Sequence, residues 1–91
     1  MLSVSGKLVV VRKVVVADSG SASTVIIEKF GNLIVTNDLT VTDFSLGTPK
    51  NGGGDVSVGG TFVVSNKFFF GGGKVRILRG TIQIAIADIG M

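Results

Sequence analysis

Ser5 and Lys7 stand two residues apart, and so do Ser65 and Lys67. On a strand that spacing puts both side chains on one face, where a lysine without its proton would activate a serine nucleophile. The same spacing arises on any polar strand face, and that is the reading adopted. Other nucleophilic schemes fail on composition: the chain has no His and no Cys, so Ser-His-Asp and Cys-His arrangements cannot be built. Zinc-thiolate and iron–sulfur sites fail for the same reason.

The acids are Asp18, Glu28, Asp38, Asp43, Asp55 and Asp88, and only Asp38 and Asp43 lie close in sequence. Glycoside hydrolysis needs two carboxylates about 5–9.5 Å apart beside a sugar groove. Its usual aromatic platforms are missing, since Trp and Tyr are absent. These carboxylates are read as caps of turns and loop backbone. Calcium would want a D-x-[DN]-x-[DN]-G spacing, which does not occur. Gly71-Gly72-Gly73-Lys74 resembles the end of a phosphate loop, but Val75 stands where Ser or Thr is required and no helical pattern follows. The expectation is therefore no enzyme, no cofactor and no metal.

Phe68-Phe69-Phe70 divides between two faces of a strand, Phe68 and Phe70 on one and Phe69 on the other. One face can fill a core, and the other needs a cover, which in so small a chain points to a neighbouring subunit. Base stacking would want cations interleaved among the rings, whereas Lys67 and Lys74 only flank them. Nucleic acid is thus not an expected partner, despite the net charge of +3.

The elements that carry these residues are strands. Val, Ile and Thr contribute 15, 8 and 7 of 91 residues, and β-branched side chains favour extended backbone. No segment holds a 3.6-residue period, so the fold class is all-β, in one domain over residues 1–91. Strand candidates lie at 7–16, 24–29, 32–36, 39–43, 56–58, 61–65, 67–70, 74–79 and 81–88. A long loop over 45–55 holds the one proline, Pro49, and three consecutive glycines. Apolar residues are 45% of the chain and charged residues 16%, against about 25% charged typically. No apolar run approaches the roughly 20 residues of a membrane span, so no membrane partner is expected. The remaining way to cover so much apolar surface is burial between subunits. Ile82, Ile84, Ile86 and Ile89 would be an aggregation hazard on a free edge and are expected to be paired.

Apolar pairs recur after six residues: Leu33 and Val35 with Leu39 and Val41, then Val56 and Val58 with Phe62 and Val64. A six-residue step keeps the face of a strand. Two folds fit. One is a small antiparallel sandwich or barrel-like meander, turning at Asn37-Asp38 and Gly59-Gly60. The other is a short β-solenoid with Asn and Gly at its corners, or an intertwined trimeric β-structure. With only two pairs repeating, the antiparallel arrangement is the expectation.

Residues 32–42 (NLIVTNDLTVT) and 55–65 (DVSVGGTFVVS) resemble the "GNLTVTGDLTVT" and "DVTVGGTLTVT" phrases of bacteriophage fibre, spike and other virion surface proteins. Bactofilin-type filament proteins share similar Gly-punctuated strands. The resemblance covers about residues 32–66 and implies a homotrimeric, non-enzymatic component of a virion, either a capsid decoration protein or a fibre or spike subunit, in contact with other virion structural proteins. The alternatives are an extracellular or cytoplasmic filament subunit and a small nucleic-acid-binding β-barrel. Val9, Val11, Phe69 and Ile89 are the expected intersubunit contacts, because each lies opposite, or at the end of, a strand already supplying a core face.

Overall fold

A computed structural model of the chain describes residues 2–48, 50 and 52–89. Of the loop expected over 45–55, residues 49 and 51 lie outside these. Nine strands follow one another: β1 (Leu2–Val10), β2 (Lys13–Val16), β3 (Gly20–Ile27), β4 (Asn32–Val35), β5 (Leu39–Leu46), β6 (Asp55–Val58), β7 (Phe62–Phe70), β8 (Lys74–Ile77) and β9 (Ile82–Ile89). Odd-numbered strands form one sheet in the order β1-β3-β5-β7-β9, and even-numbered strands form a second in the order β2-β4-β6-β8. Every pairing among the described residues is parallel. The chain therefore winds as a parallel β-solenoid of about four turns.

This overturns the antiparallel sandwich or meander. Asn37-Asp38 and Gly59-Gly60 do not reverse the chain into hairpins. They sit in three-residue corners, 36–38 and 59–61, that pass from the short sheet to the long one. Each long strand then pairs with the strand two elements earlier, across a crossover long enough for parallel pairing. The corners stack as the strands do. Gly20 N–H donates to the Asp38 carbonyl at 2.9 Å, and Leu39 N–H to that of Thr61 at 2.9 Å.

The six-residue step seen in the sequence spans these corners. Leu33 and Val35 on β4, and Leu39 and Val41 on β5, all point inward from different sheets, and all are buried. Inward positions stack in columns. One runs Leu39, Phe62, Ile82; another runs Val25, Phe44, Phe68, Ala87; a third runs Ile27, Leu46, Phe70, Ile89. In the long sheet the alternation skips at the same place in successive strands. Val41 and Phe44 are three residues apart, yet both are buried, so the strand must turn its pleat between them. No polar or charged side chain is buried among the described residues.

At the corners entering the short sheet, backbone runs directly over backbone. A Cβ on Gly54 would collide with the carbonyl of Gly31, and one on Gly73 with the carbonyl of Gly54. These carbonyls accept from Asp55 N–H at 2.9 Å and Lys74 N–H at 3.1 Å. Gly73 also has φ +104°, a backbone region costly to any residue with a Cβ. Phe30, one residue before Gly31, adopts φ 69° without being glycine.

Candidate functional site

The chemical pairs considered in the sequence resolve into structural roles. Lys67 Nζ lies 3.3 Å from Asp88 Oδ2, and Ser65 Oγ donates to the Val41 carbonyl at 3.4 Å. Each partner is thus engaged elsewhere. The side chain of Ser5 lies outside the described residues. Asp38 Oδ1 accepts from Thr61 N–H at 2.8 Å. Asp43 Oδ1 accepts from Asn66 Nδ2 at 2.7 Å and Lys67 N–H at 3.3 Å, and this pins the place where β7 carries an extra residue against β5. Among the described residues no three Asp or Glu side chains gather as a metal site. Gly71-Gly72-Gly73 forms a corner between β7 and β8, with a strand and not a helix after it.

The Phe run divides as its alternation predicts. Phe68 is buried and Phe70 half-buried on the inner face, while Phe69 is half-buried on the outer one. Phe68 packs in a cluster with Phe44 and Phe62, its ring centroids 5.3 and 6.2 Å from theirs.

Three surfaces remain for contact. The first is the outer face of the long sheet, where Val9, Ile26, Ser45, Phe69 and Asp88 form one row. Val9 and Phe69 are thereby placed on a common face, three strands apart. The second is the outer face of the short sheet, where Asn32, Asp55 and Lys74 form one row and Ile34, Ser57 and Arg76 the next, around a depression of about 250 Å³. The third is the end of the solenoid at β8 and β9. Columns that are sealed one or two coils earlier are open here. Phe62 is 0% exposed and Ile82, next in its column, 42%; Leu46 is 0% exposed and Ile89, two coils on, 64%. The residues stay apolar along these columns. What changes is that no further strand lies over them among the described residues.

No family model matches this chain, and no curated protein or solved structure matches it either. The four residues expected at contacts fall on different surfaces. Val9 and Phe69 share the lateral row, Ile89 belongs to the open end, and Val11, 62% exposed, stands at the corner between β1 and β2. Ile82 joins Ile89 at the end. The sequence expectation is that these isoleucines are paired, and the topology shows β9 at an edge with no further strand over Ile82 among the described residues. Phe30 went unnoticed. It is 85% exposed, with Lys29 Nζ 5.3 Å from its ring centre; an aromatic residue before a glycine was the available signal.

Proposed function

We propose that this chain is a non-enzymatic structural subunit whose work is self-assembly. The observation that carries the reading is the exposure step at β9, where apolar columns buried on β5 end uncovered, with no further strand paired to that edge among the described residues. Such an edge is a template for another strand. Each carboxylate engaged by a side chain or backbone donor serves a corner, a bend or an ion pair, which suits a mechanical role.

The setting proposed is a phage virion, as a capsid decoration protein or a fibre or spike subunit. Support comes from the phrases at 32–42 and 55–65, which are the corner-crossing segments of two successive coils. A homotrimer would use the lateral row of Val9, Ile26 and Phe69. A second reading, a filament subunit, is favoured by the unlike ends of the solenoid, since a heterologous contact between them does not close. The nucleic-acid-binding barrel argued from Phe68–Phe70 and the net charge is less favoured, because the chain winds as a solenoid and not a barrel and, of the three rings, only Phe69 is on the outer face.

Light scattering combined with negative-stain imaging tests both. Discrete particles of three chains are expected for the virion component and long threads for the filament. A clean monomer at micromolar concentration overturns the assembly reading altogether.

A further inference from the structure

We propose that the C-terminal end of the solenoid docks on the N-terminal end of a second copy of this chain, with β9 continuing its parallel ladder onto the partner's β1. This rests on the assembly reading above, in its filament form, and names the contact it would use.

Register is the first argument. The backbone registers that reach β9 at Ile82, Ile84, Ala87 and Ile89 begin on β1 at Leu2, Val4, Leu8 and Val10. A second copy placed head to tail therefore offers the next coil in the same phase. The outer edges of β9 and of β1 are both without a paired strand among the described residues.

Area is the second. The molecule measures 32 × 27 × 25 Å, so one end presents on the order of 600 Å², not far below the roughly 800 Å² that each partner brings to a standard stable interface.

Charge selects the orientation. In a tail-to-tail pair, β8 would run antiparallel to its own copy and set Lys74 and Arg76 against Arg76 and Lys74. Like charges directly across strands are unfavourable. Head to tail, β8 meets β2, and the rows continue as Lys74 to Lys13 and Arg76 to Val15. One like pair replaces two, and the stem of Arg76 gains Val15, itself 55% exposed, to lie along. On the long sheet Asp88 already reaches Lys67 by one diagonal step. Lys7 of the next copy stands one diagonal step away on the other side.

The absence of cysteine gives a clean test. Ser3 and Gln83 begin and end one outward row, and both are exposed. Within one molecule they are four strand spacings apart, about 19 Å, too far to bridge. Across the proposed contact they are neighbours at about 4.8 Å, within disulfide reach. Under mild oxidation, S3C mixed with Q83C is expected to give covalent dimers that neither variant gives alone, and the S3C/Q83C double variant a ladder of dimers, trimers and longer species. If light scattering shows assembly but mixing gives no cross-link, the head-to-tail contact is wrong and the assembly reading stands. If the S3C/Q83C double variant gives covalent dimers and nothing longer, the open head-to-tail contact is overturned in favour of a closed pair. A monomeric mass with no cross-link overturns both. Since the substituted positions are exposed, the urea midpoint of each reduced variant should match the parent, which separates a failed contact from a failed fold.

Discussion

The ring of Phe44 lies 5.3 Å from that of Phe68 with only 20° between their planes, although the two belong to successive coils. They are register partners on β5 and β7, so the stack is a direct product of the parallel ladder. Phe62 meets Phe44 edge-on at 4.9 Å. Three rings thus fill the same stretch of interior, and offset or edge contacts of this kind add to what burial alone contributes.

Phe44→Ala should destabilise the chain by about 3–5 kcal/mol, since a fully buried ring is replaced by a cavity that its neighbours cannot close. Urea unfolding followed by circular dichroism would measure it. A loss under about 1 kcal/mol would contradict the packing described.

Gly54→Ala should cost at least about 2 kcal/mol, because the added methyl meets the Gly31 carbonyl, and backbone cannot yield as a side chain does. Gly52→Ala, where nothing lies within 4 Å of the new Cβ, should be near neutral. The difference between their unfolding midpoints is the quantity to compare.

Phe30→Gly should stabilise the fold by about 0.5 kcal/mol or more. The left-handed backbone at Phe30 costs roughly 1–2 kcal/mol for a residue with a Cβ. The lost contact with Lys29 is exposed and worth about 0.5 kcal/mol, and the ring buries little. A fall in the thermal midpoint would show that Phe30 holds its corner by some other means.

Asp43→Ala and Lys67→Ala separate two polar contacts on the same bend. Removing Asp43 takes the partner of both Asn66 and the Lys67 amide and should cost about 1–2 kcal/mol. Removing Lys67 breaks an ion pair whose side chains are 52% and 44% exposed, and should cost under about 0.5 kcal/mol. Comparable losses in chemical denaturation would show that the ion pair, and not the Asp43 cap, holds the bend.

If copies stack head to tail, added salt should strengthen the stack, because the directly opposed Lys74 and Lys13 and the net charge of +3 on each copy outweigh the diagonal Asp88-to-Lys7 attraction, and all are screened as the Debye length falls from about 10 Å at 0.1 M to about 3 Å at 1 M. Mean particle mass by light scattering should rise over that range. A mass that falls with salt would point to a contact held by opposite charges instead.

The all-β class and the split of Phe68 and Phe70 from Phe69 were legible in the sequence, because alternation and β-branching act locally, whereas Ile86, two residues after Ile84, turns outward beside Lys67 where the register shifts. The direction of pairing was not. A hairpin and a solenoid corner both keep Leu33, Val35, Leu39 and Val41 on an inner face, so alternation cannot separate them. What does is the spacing of partners, and here it is uneven. Gly20 pairs with Leu39 and Leu39 with Phe62, steps of 19 and 23 residues, the longer one containing the segment between Leu46 and Asp55. That added length hid the repeat. The exposure of Ile82 and Ile89 was not legible for the same reason: it depends on there being no further strand over β9 among the described residues, which no local pattern records.

That uneven spacing has a consequence for how such a molecule can change size. The segment between β5 and β6 lengthens one coil while the strands on either side keep phase, so length variation is confined to the perimeter. Elongation along the axis obeys a different rule. Each coil rests on its neighbours alone, as in other solenoids. Duplicating one coil would extend the rod by about 4.8 Å and demand no compensating change elsewhere. The protein behaves as a ruler whose graduations can be copied one at a time.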